Sequence, residues 1–223
     1  MTDFFSKEDI QKLLDAEDKA IENFTLKLKN KIERQLKKAV TNLNKQGTLE
    51  AVTGELSKLS SLNLPKDIQA ELNNYIGLYT KSIAVIKDSI QTVNNVVDVF
   101  DANDQGVIDQ LFDFSKTRLL TTIDQTYNEF KNITYQGIVS NQLPDLNTVV
   151  ESITDNFENR LPSDINTQLA AFQRSVTLKK ADDLGLTHFL YAGGLILTSR
   201  EFCQERAGNI YSFSEAKTWD NGQ

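Results

Sequence analysis

The chain has 223 residues, of which 39% are hydrophobic and 25% are charged, and its formal net charge at pH 7 is −7. This acidic balance excludes a general affinity for the nucleic-acid backbone, because such binding relies on a surplus of Lys and Arg. A single cysteine excludes an internal disulfide framework, and no apolar run approaches membrane-spanning length. The N-terminal segment has early acidic residues and no apolar signal-peptide core, so we expect synthesis in the cytoplasm and no membrane partner.

A first helix is predicted from apolar residues that recur at steps of three and four. They are Ile10, Leu13, Leu14, Ile21, Phe24, Leu28, Ile32, Leu36, Val40 and Leu43. The same segment carries the basic residues Lys27, Lys29, Lys31, Arg34, Lys37 and Lys38. A basic cluster of this kind either lies on a solvated helix face, which is the commoner case, or meets an acidic partner.

A short amphipathic piece at residues 52–59 precedes the most regular segment of the sequence. Its apolar residues follow an a/d heptad pattern: Ile76, Tyr79, Ile83, Ile86, Ile90, Val93, Val97 and Phe100. Such a seam is typical of a supercoiled helix that packs against a partner helix. The partner helix comes either from the same chain or from another copy, and a bundle within one chain is the default expectation.

The next stretch resembles a calcium-binding loop but lacks its decisive ligand. The loop-like residues are Asp101, Asn103, Gln105, Gly106, Ile108 and Asp109. The twelfth position, which should hold a bidentate Glu, is Phe112, and Asp113 comes one residue too late. We therefore interpret the stretch as a turn that leads into a helix.

Three further helices are predicted over residues 106–137, 146–159 and 165–184, and Gly185 caps the last of them. Each proline follows a Leu and is predicted to open a helix, because an N–H at the first helical turn has no intrahelical acceptor. These prolines are Pro65, Pro144 and Pro162.

After Gly185 the sequence changes character. "LTHFLYAG" predicts a short strand, Gly193 and Gly194 a turn, and "TSREFCQERAG" a short helix. Thr198/Glu201 and Ser212/Glu215 have the spacing of capping boxes. We expect a small α+β module around the aromatic residues Phe189, Tyr191, Phe202, Tyr211, Phe213 and Trp219.

Several rare polar residues of this module have a chemical and a structural interpretation. Cys203 and His188 would form a nucleophile–base pair, or a metal site if Glu201 or Glu205 joined them. A buried structural thiol explains the cysteine more simply. Similarly, Arg200 and Arg206 would bind a carboxylate or phosphate, or pair with nearby acids. We therefore expect no enzyme, no metal and no cofactor.

Residues 172–222, "FQRSVTLKKADDLGLTHFLYAGGLILTSREFCQERAGNIYSFSEAKTWDNG", carry a resemblance to a known family. Their order is a helix, a Y-x-G strand, a T-x-R-x-[FH]-C turn, a glycine, an aromatic residue and a capped helix. This resembles the C-terminal region of tailed-bacteriophage minor capsid proteins, the head morphogenesis proteins of the phage Mu F-like type. The matching positions are Tyr191, Gly193, Thr198, Arg200, Phe202, Cys203, Gly208, Tyr211, Ser214, Glu215 and Trp219. Members of this family often continue into a second Cys/His-containing segment, whereas this sequence ends at Gln223.

The resemblance implies a structural virion protein near the portal vertex, which is made in the host cytoplasm and incorporated into the head or neck during assembly. It implies docking to portal, connector or capsid subunits, a homo-oligomer in the particle, and no catalytic activity. The alternatives are a cytoplasmic helical-bundle adaptor that self-associates and an enzyme or metalloprotein centred on Cys203 and His188.

The predicted fold is mainly α. It consists of an elongated helical bundle or coiled-coil-like rods, followed by a small C-terminal α+β module. We place the long-helix region at residues 1–163 and the last helix with the module at residues 164–223.

Overall fold

The computed structural model describes residues 7–46, 48–94, 100–191, 205–206, 209–216 and 218–219. The chain divides into two compact units. Residues 21–172 form one, and residues 1–20 and 173–223 form the other. The predicted division after residue 163 falls within a helix.

Helices dominate the described chain. They are α1 (Lys7–Leu43), α2 (Leu49–Ser57), a 3₁₀ turn (Ser61–Asn63), α3 (Lys66–Asn94), α4 (Ala102–Val139) and α5 (Leu146–Asp183). The strands β1 (His188–Leu190) and β2 (Ile210–Ser212) and a short helix α6 (Phe213–Ala216) follow. The prediction of a mainly α protein with a small C-terminal module is confirmed.

In the unit of residues 21–172, consecutive long helices run in opposite directions. Between α1 and α3, Lys31 pairs with Glu71, and Arg34, one turn later, pairs with the earlier residue Asp67. The pairing order is reversed, as it is in antiparallel helices. The same reversal relates α4 to α5, where Phe112 stacks on Phe172 and Gly137 meets Pro144.

The parallel packing of α3 and α5, which are not consecutive long helices, agrees with this alternation of direction. Tyr75 of α3 contacts Gln168 of α5, and Tyr79, four residues later, contacts Phe172, also four residues later. The contacts advance in the same direction along both helices, so α3 and α5 are parallel. This unit is therefore an up-down-up-down bundle of α1, α3, α4 and α5.

The apolar stripe predicted for the first helix forms part of the bundle core. Its buried members are Ile21, Phe24, Leu28, Ile32, Leu36, Val40 and Leu43. The side chains of Ile10, Leu13 and Leu14 lie outside the described part. The stripe is buried because its three- and four-residue steps keep it on one face of α1.

Proline positions divide into two kinds. Pro65 lies directly before α3, and its carbonyl accepts hydrogen bonds of 3.0 Å from the N–H groups of Ile68 and Gln69. Pro144 lies just before Asp145, whose Oδ1 accepts from the N–H of Asn147 at 3.0 Å. Both prolines therefore precede a helix, as predicted.

The prediction that Pro162 opens a new helix was wrong. Pro162 lies inside α5, which is continuous over the two helices predicted at 146–159 and 165–184. Phe157, Leu161, Ile165 and Leu169 are all buried on one stripe of this helix. Burial of that stripe outweighs the loss of one backbone hydrogen bond at the proline.

Two helix ends use a left-handed residue. Gly185 has φ +64° after α5, and the N–H of Leu186 donates to the carbonyl of Ala181 at 2.8 Å, which confirms the predicted C-cap. Asn141 has φ +52° after α4, and the N–H of Gln142 donates to the carbonyl of Gly137 at 2.9 Å. The tight turn into α5 therefore depends on Asn141.

We expect Gly137→Ala to lower the free energy of unfolding by about 1–3 kcal/mol. A Cβ at this position would lie 2.9 Å from Cδ of Pro144 and 3.0 Å from Cα of Leu143, so the α4–α5 turn would have to shift. Urea denaturation measures the change. Gly106→Ala in the same helix is the matched control, because a Cβ there meets nothing within 4 Å. It should raise stability slightly, and equal behaviour of the two variants would contradict the steric explanation.

Candidate functional site: the C-terminal module and the charged flanks of α1

The described part of the C-terminal module is built on an antiparallel hairpin. β1 pairs with β2 in the register His188–Ser212, Phe189–Tyr211 and Leu190–Ile210. The pairing extends at both ends: the N–H of Tyr191 donates to the carbonyl of Asn209 at 2.9 Å, and the N–H of Phe213 donates to the carbonyl of Thr187 at 3.0 Å. β1 was predicted, whereas β2 was not, because its polar flanks resemble a loop.

Trp219 contacts three other side chains of the module. Its ring centre lies 4.9 Å from that of Tyr211 and 6.0 Å from that of Tyr191, in edge-to-face geometry. The guanidinium carbon of Arg206 lies 5.1 Å from the Trp219 ring centre, within cation–π range. Three of the predicted aromatic residues therefore do meet. The predicted pairing of Arg206 with a nearby acid is confirmed by Glu205 at 3.5 Å, whereas its contact with Trp219 was not predicted.

Ser212 begins the last short helix as predicted. Its Oγ accepts a hydrogen bond of 3.1 Å from the N–H of Glu215. The turn closes where Thr218 Oγ1 donates to the carbonyl of Glu215 at 2.7 Å. This capped turn carries the chain from β2 to Trp219, so it places the indole against the hairpin.

The remaining motif positions lie outside the described residues. They are Gly193, Thr198, Arg200, Phe202, Cys203 and Gly208. The proposed Cys203–His188 pair therefore stays a hypothesis. His188 itself is exposed, and its Nδ1 lies 2.8 Å from Thr187 Oγ1. Within the described ranges, no three His, Cys, Asp or Glu side chains come close enough together to hold a metal ion.

Four residues of the basic cluster on α1, Lys29, Lys31, Arg34 and Lys37, pair with acidic residues of the same chain, while Lys27 and Lys38 are exposed. On one flank, Lys29 Nζ lies 2.9 Å from carboxylate oxygens of both Asp155 and Glu158 on α5. Lys37 contacts Glu33 at 2.6 Å and Glu151 of α5 at 3.7 Å. The interpretation as a solvated face was therefore wrong for Lys29, whose side chain is 16% exposed, whereas Lys37 is 43% exposed. The partners of Lys29 lie far away in sequence, so helix periodicity could not predict them.

The other flank of α1 faces α3. Lys31 Nζ donates to Glu71 Oε1 at 2.5 Å and to the carbonyl of Asp67 at 2.9 Å, and Arg34 pairs with the Asp67 carboxylate. Only 8% of the Glu71 side chain is exposed. Burial alone would raise the pKa of Glu71, but hydrogen bonds from Lys31 and Asn74 outweigh it and hold that pKa below its ordinary value.

A polar network crosses the core of the bundle. The hydroxyls of Tyr75 and Tyr79 lie 2.6 Å apart, and Tyr75 also donates to Gln168 Oε1 at 3.2 Å. Burial raises the pKa of both tyrosines. Tyr127 donates to Gln35 Oε1 at 2.5 Å, and burial raises its pKa too. These phenols therefore act as neutral hydrogen-bonding groups.

The loop that resembles a calcium site is a helix start. Asp101 and Asp104 cap α4 reciprocally: the N–H of Asp101 donates to Asp104 Oδ2 at 2.8 Å, and the N–H of Asp104 donates to Asp101 Oδ1 at 3.0 Å. The predicted turn is confirmed, and the helix begins at Ala102 rather than at Gly106. Two carboxylates engaged with backbone N–H groups serve as caps.

The heptad seam is present only in part. Tyr79 is buried, while Ile76, Ile83 and Ile86 are half-buried. α3 ends at Asn94, and Phe100 lies in the non-helical residues before α4. Val97 lies outside the described residues, as do the side chains of Ile90 and Val93. The buried face of α3 is centred instead on Ile68, Leu72, Tyr75, Tyr79 and Ser82.

Comparison with known proteins gives no relative. The chain matches no protein-family model, no curated protein and no solved structure. Among the helices in the described ranges, none combines the length and the hydropathy that crossing a bilayer requires.

We expect Glu71→Gln to lower the free energy of unfolding by about 2 kcal/mol at neutral pH, because it leaves Lys31 without its anionic partner. The folded-state pKa of Glu71 is depressed. Its contribution is therefore present above the ordinary carboxyl range and is lost as the pH falls through the folded-state pKa. Urea denaturation at neutral pH and at about pH 3 should show the difference between wild type and variant shrinking in acid.

The exposed residue Glu22, also on a bundle helix, provides the control for this change. Glu22→Gln should leave stability within about 0.5 kcal/mol of wild type at both pH values. A Glu71→Gln effect that persists unchanged in acid would show that charge pairing is not its cause.

Trp219→Ala should expose the hairpin without unfolding the bundle. We expect amide hydrogen exchange at Tyr191 and Phe213 to become about tenfold faster, because two aromatic contacts and a cation–π contact are lost. Ile210→Ala is the control, since Ile210 is 71% exposed. Its effect on the same amides should be small, and equal acceleration by both variants would show that Trp219 does not hold the hairpin.

Proposed function

We propose that the protein is a structural virion component of a tailed bacteriophage, a minor capsid or portal/connector-associated protein that acts in head assembly through protein–protein contacts. One observation carries this proposal. The aromatic positions of the minor-capsid-like motif, Tyr191, Tyr211 and Trp219, meet around one hairpin. These three positions therefore belong to one folded hairpin, and this shared packing supports the proposal, which rests on the resemblance.

The bundle has an interior with the features expected of a structural scaffold. Its long helices are joined by buried apolar side chains and by ion pairs between helices, such as Lys31–Glu71. Its core tyrosines are neutral and hydrogen-bonded: Tyr75 to Tyr79, and Tyr127 to Gln35. Such an interior supplies rigidity and length, and it leaves recognition to exposed positions.

Under this proposal the C-terminal module docks on portal, connector or capsid subunits. Ile210 is the described apolar side chain of the module with the highest exposure, at 71%. Under the proposal, this exposed side chain is one candidate contact with a partner subunit. We place the protein in the head or neck of the particle, as a homo-oligomer made in the host cytoplasm.

A second candidate is a cytoplasmic helical-bundle adaptor that self-associates without any virion. The observation that favours it is the compact bundle of residues 21–172, which has its own buried core. The two candidates differ in where binding resides. An adaptor would bind through the bundle, whereas a minor capsid protein of this type would need its C-terminal module.

Quantitative peptide mass spectrometry on purified particles and on the infected-cell lysate tests the proposal. Peptides of the chain should be enriched in full heads at a low, fixed ratio to the portal protein. Trp219→Ala should reduce incorporation into heads, while the surface variant Glu22→Gln should not. If the peptides stay in the soluble lysate and never copurify with heads, the virion proposal is wrong and the adaptor is favoured.

A further inference from the structure

Thr25 of α1 carries a buried polar atom without a described partner. The residue is 2% exposed, and its Oγ1 has no hydrogen-bond partner among the residues that the structure describes. A buried hydroxyl that makes no hydrogen bond costs free energy, because water is lost and nothing replaces it. Such atoms in a packed core usually belong to a hydration or binding site.

Thr25 lies on the flank of α1 that faces α5. Lys29, one helical turn later, pairs with Glu158 of α5 at 2.9 Å. Residues four apart on a helix share a face, so Thr25 points to the same neighbouring helix as Lys29. The Thr25 side chain therefore lies on the face of α1 that packs against α5.

The register of the two helices places Thr25 near Pro162. Lys37, further along α1, contacts Glu151, which is earlier in α5 than Glu158, so the helices are antiparallel. Lys29 pairs at 2.9 Å with both Asp155 and Glu158, so one turn back along α1 corresponds to residues 159–162 of α5. This segment ends at Pro162.

Pro162 breaks the hydrogen bonding of α5 in this turn. In a helix, the carbonyl of residue i−4 accepts from the N–H of residue i. Proline has no N–H, so the main-chain carbonyl of Glu158 loses its ordinary helical donor and remains a free acceptor. A donor on α1 and an acceptor on α5 therefore lie in the same layer of the bundle.

We propose that α1 and α5 hold a buried water molecule between the Thr25 hydroxyl and the main-chain carbonyl of Glu158, at the break that Pro162 makes. A water there donates one hydrogen to the carbonyl and bonds to the hydroxyl with its remaining capacity. Pro162 creates the acceptor and Thr25 retains the water. The two residues act as one unit that ties α1 to α5 beside the Lys29 ion pair.

A double-mutant cycle tests this unit. Thr25→Val should reduce the folding equilibrium constant about fivefold in the wild-type background, measured by urea denaturation. In the Pro162→Ala background a new N–H satisfies the Glu158 carbonyl, so the same change should cost little or become stabilising. Thr134→Val is the matched control, because Thr134 is 1% exposed and its Oγ1 donates to the carbonyl of Phe130 at 2.8 Å. Its effect should be the same in both backgrounds.

The sign of the stability change caused by Thr25→Val tests whether the hydroxyl binds a water. If the variant is more stable than wild type, the hydroxyl is dry and unpaired, and the proposal is wrong. If it is less stable by the same factor in both backgrounds, the partner is not the Glu158 carbonyl, and the proposal is equally wrong. In a high-resolution crystal structure, an ordered water within hydrogen-bond distance of both groups is the expected direct result, and apolar packing between them would overturn it.

Discussion

The two charged flanks of α1 fix the register of the bundle. The apolar stripe between them would allow a neighbouring helix to slide by one turn, since its residues recur at three- and four-residue steps. A slide of one turn would move each cation about 5.4 Å along its partner helix. Lys31 would then lose Glu71, which is too buried to be solvated instead. Because an unpaired buried carboxylate is costly, the native register is strongly preferred.

The core phenols extend this constraint to helix pairs that no short turn connects. α3 and α5 are parallel, and Tyr75 reaches Gln168 across them. Tyr127 of α4 reaches Gln35 of α1 in the same way. Each hydroxyl is buried, so a different packing arrangement would leave it without a partner. The polar groups of this core therefore select one arrangement among several that the apolar stripes alone would permit.

Helix existence was predictable, whereas helix ends and pairings were not. The stripe from Ile21 to Leu43 was predicted because periodicity is local information. Pro162 was misread because its local cost is outweighed by Leu161 and Ile165, which are buried through tertiary contacts. The partners of Lys29 and Lys31 could not be predicted either. They lie up to 129 residues away along the chain, and sequence periodicity contains no information about contacts between such distant residues.

The C-terminal module shows a different limit of sequence reasoning. A two-stranded hairpin is marginal by itself in water. Here Trp219, Tyr191, Tyr211 and Arg206 add the contacts that it needs. Three of these four residues belong to the motif that resembles minor capsid proteins, so these three positions are explained first as a requirement of folding. Modules with different partners would need the same three residues. Under the proposed function, the contacts that choose a partner would therefore lie at exposed positions such as Ile210, where folding places little demand on the side chain.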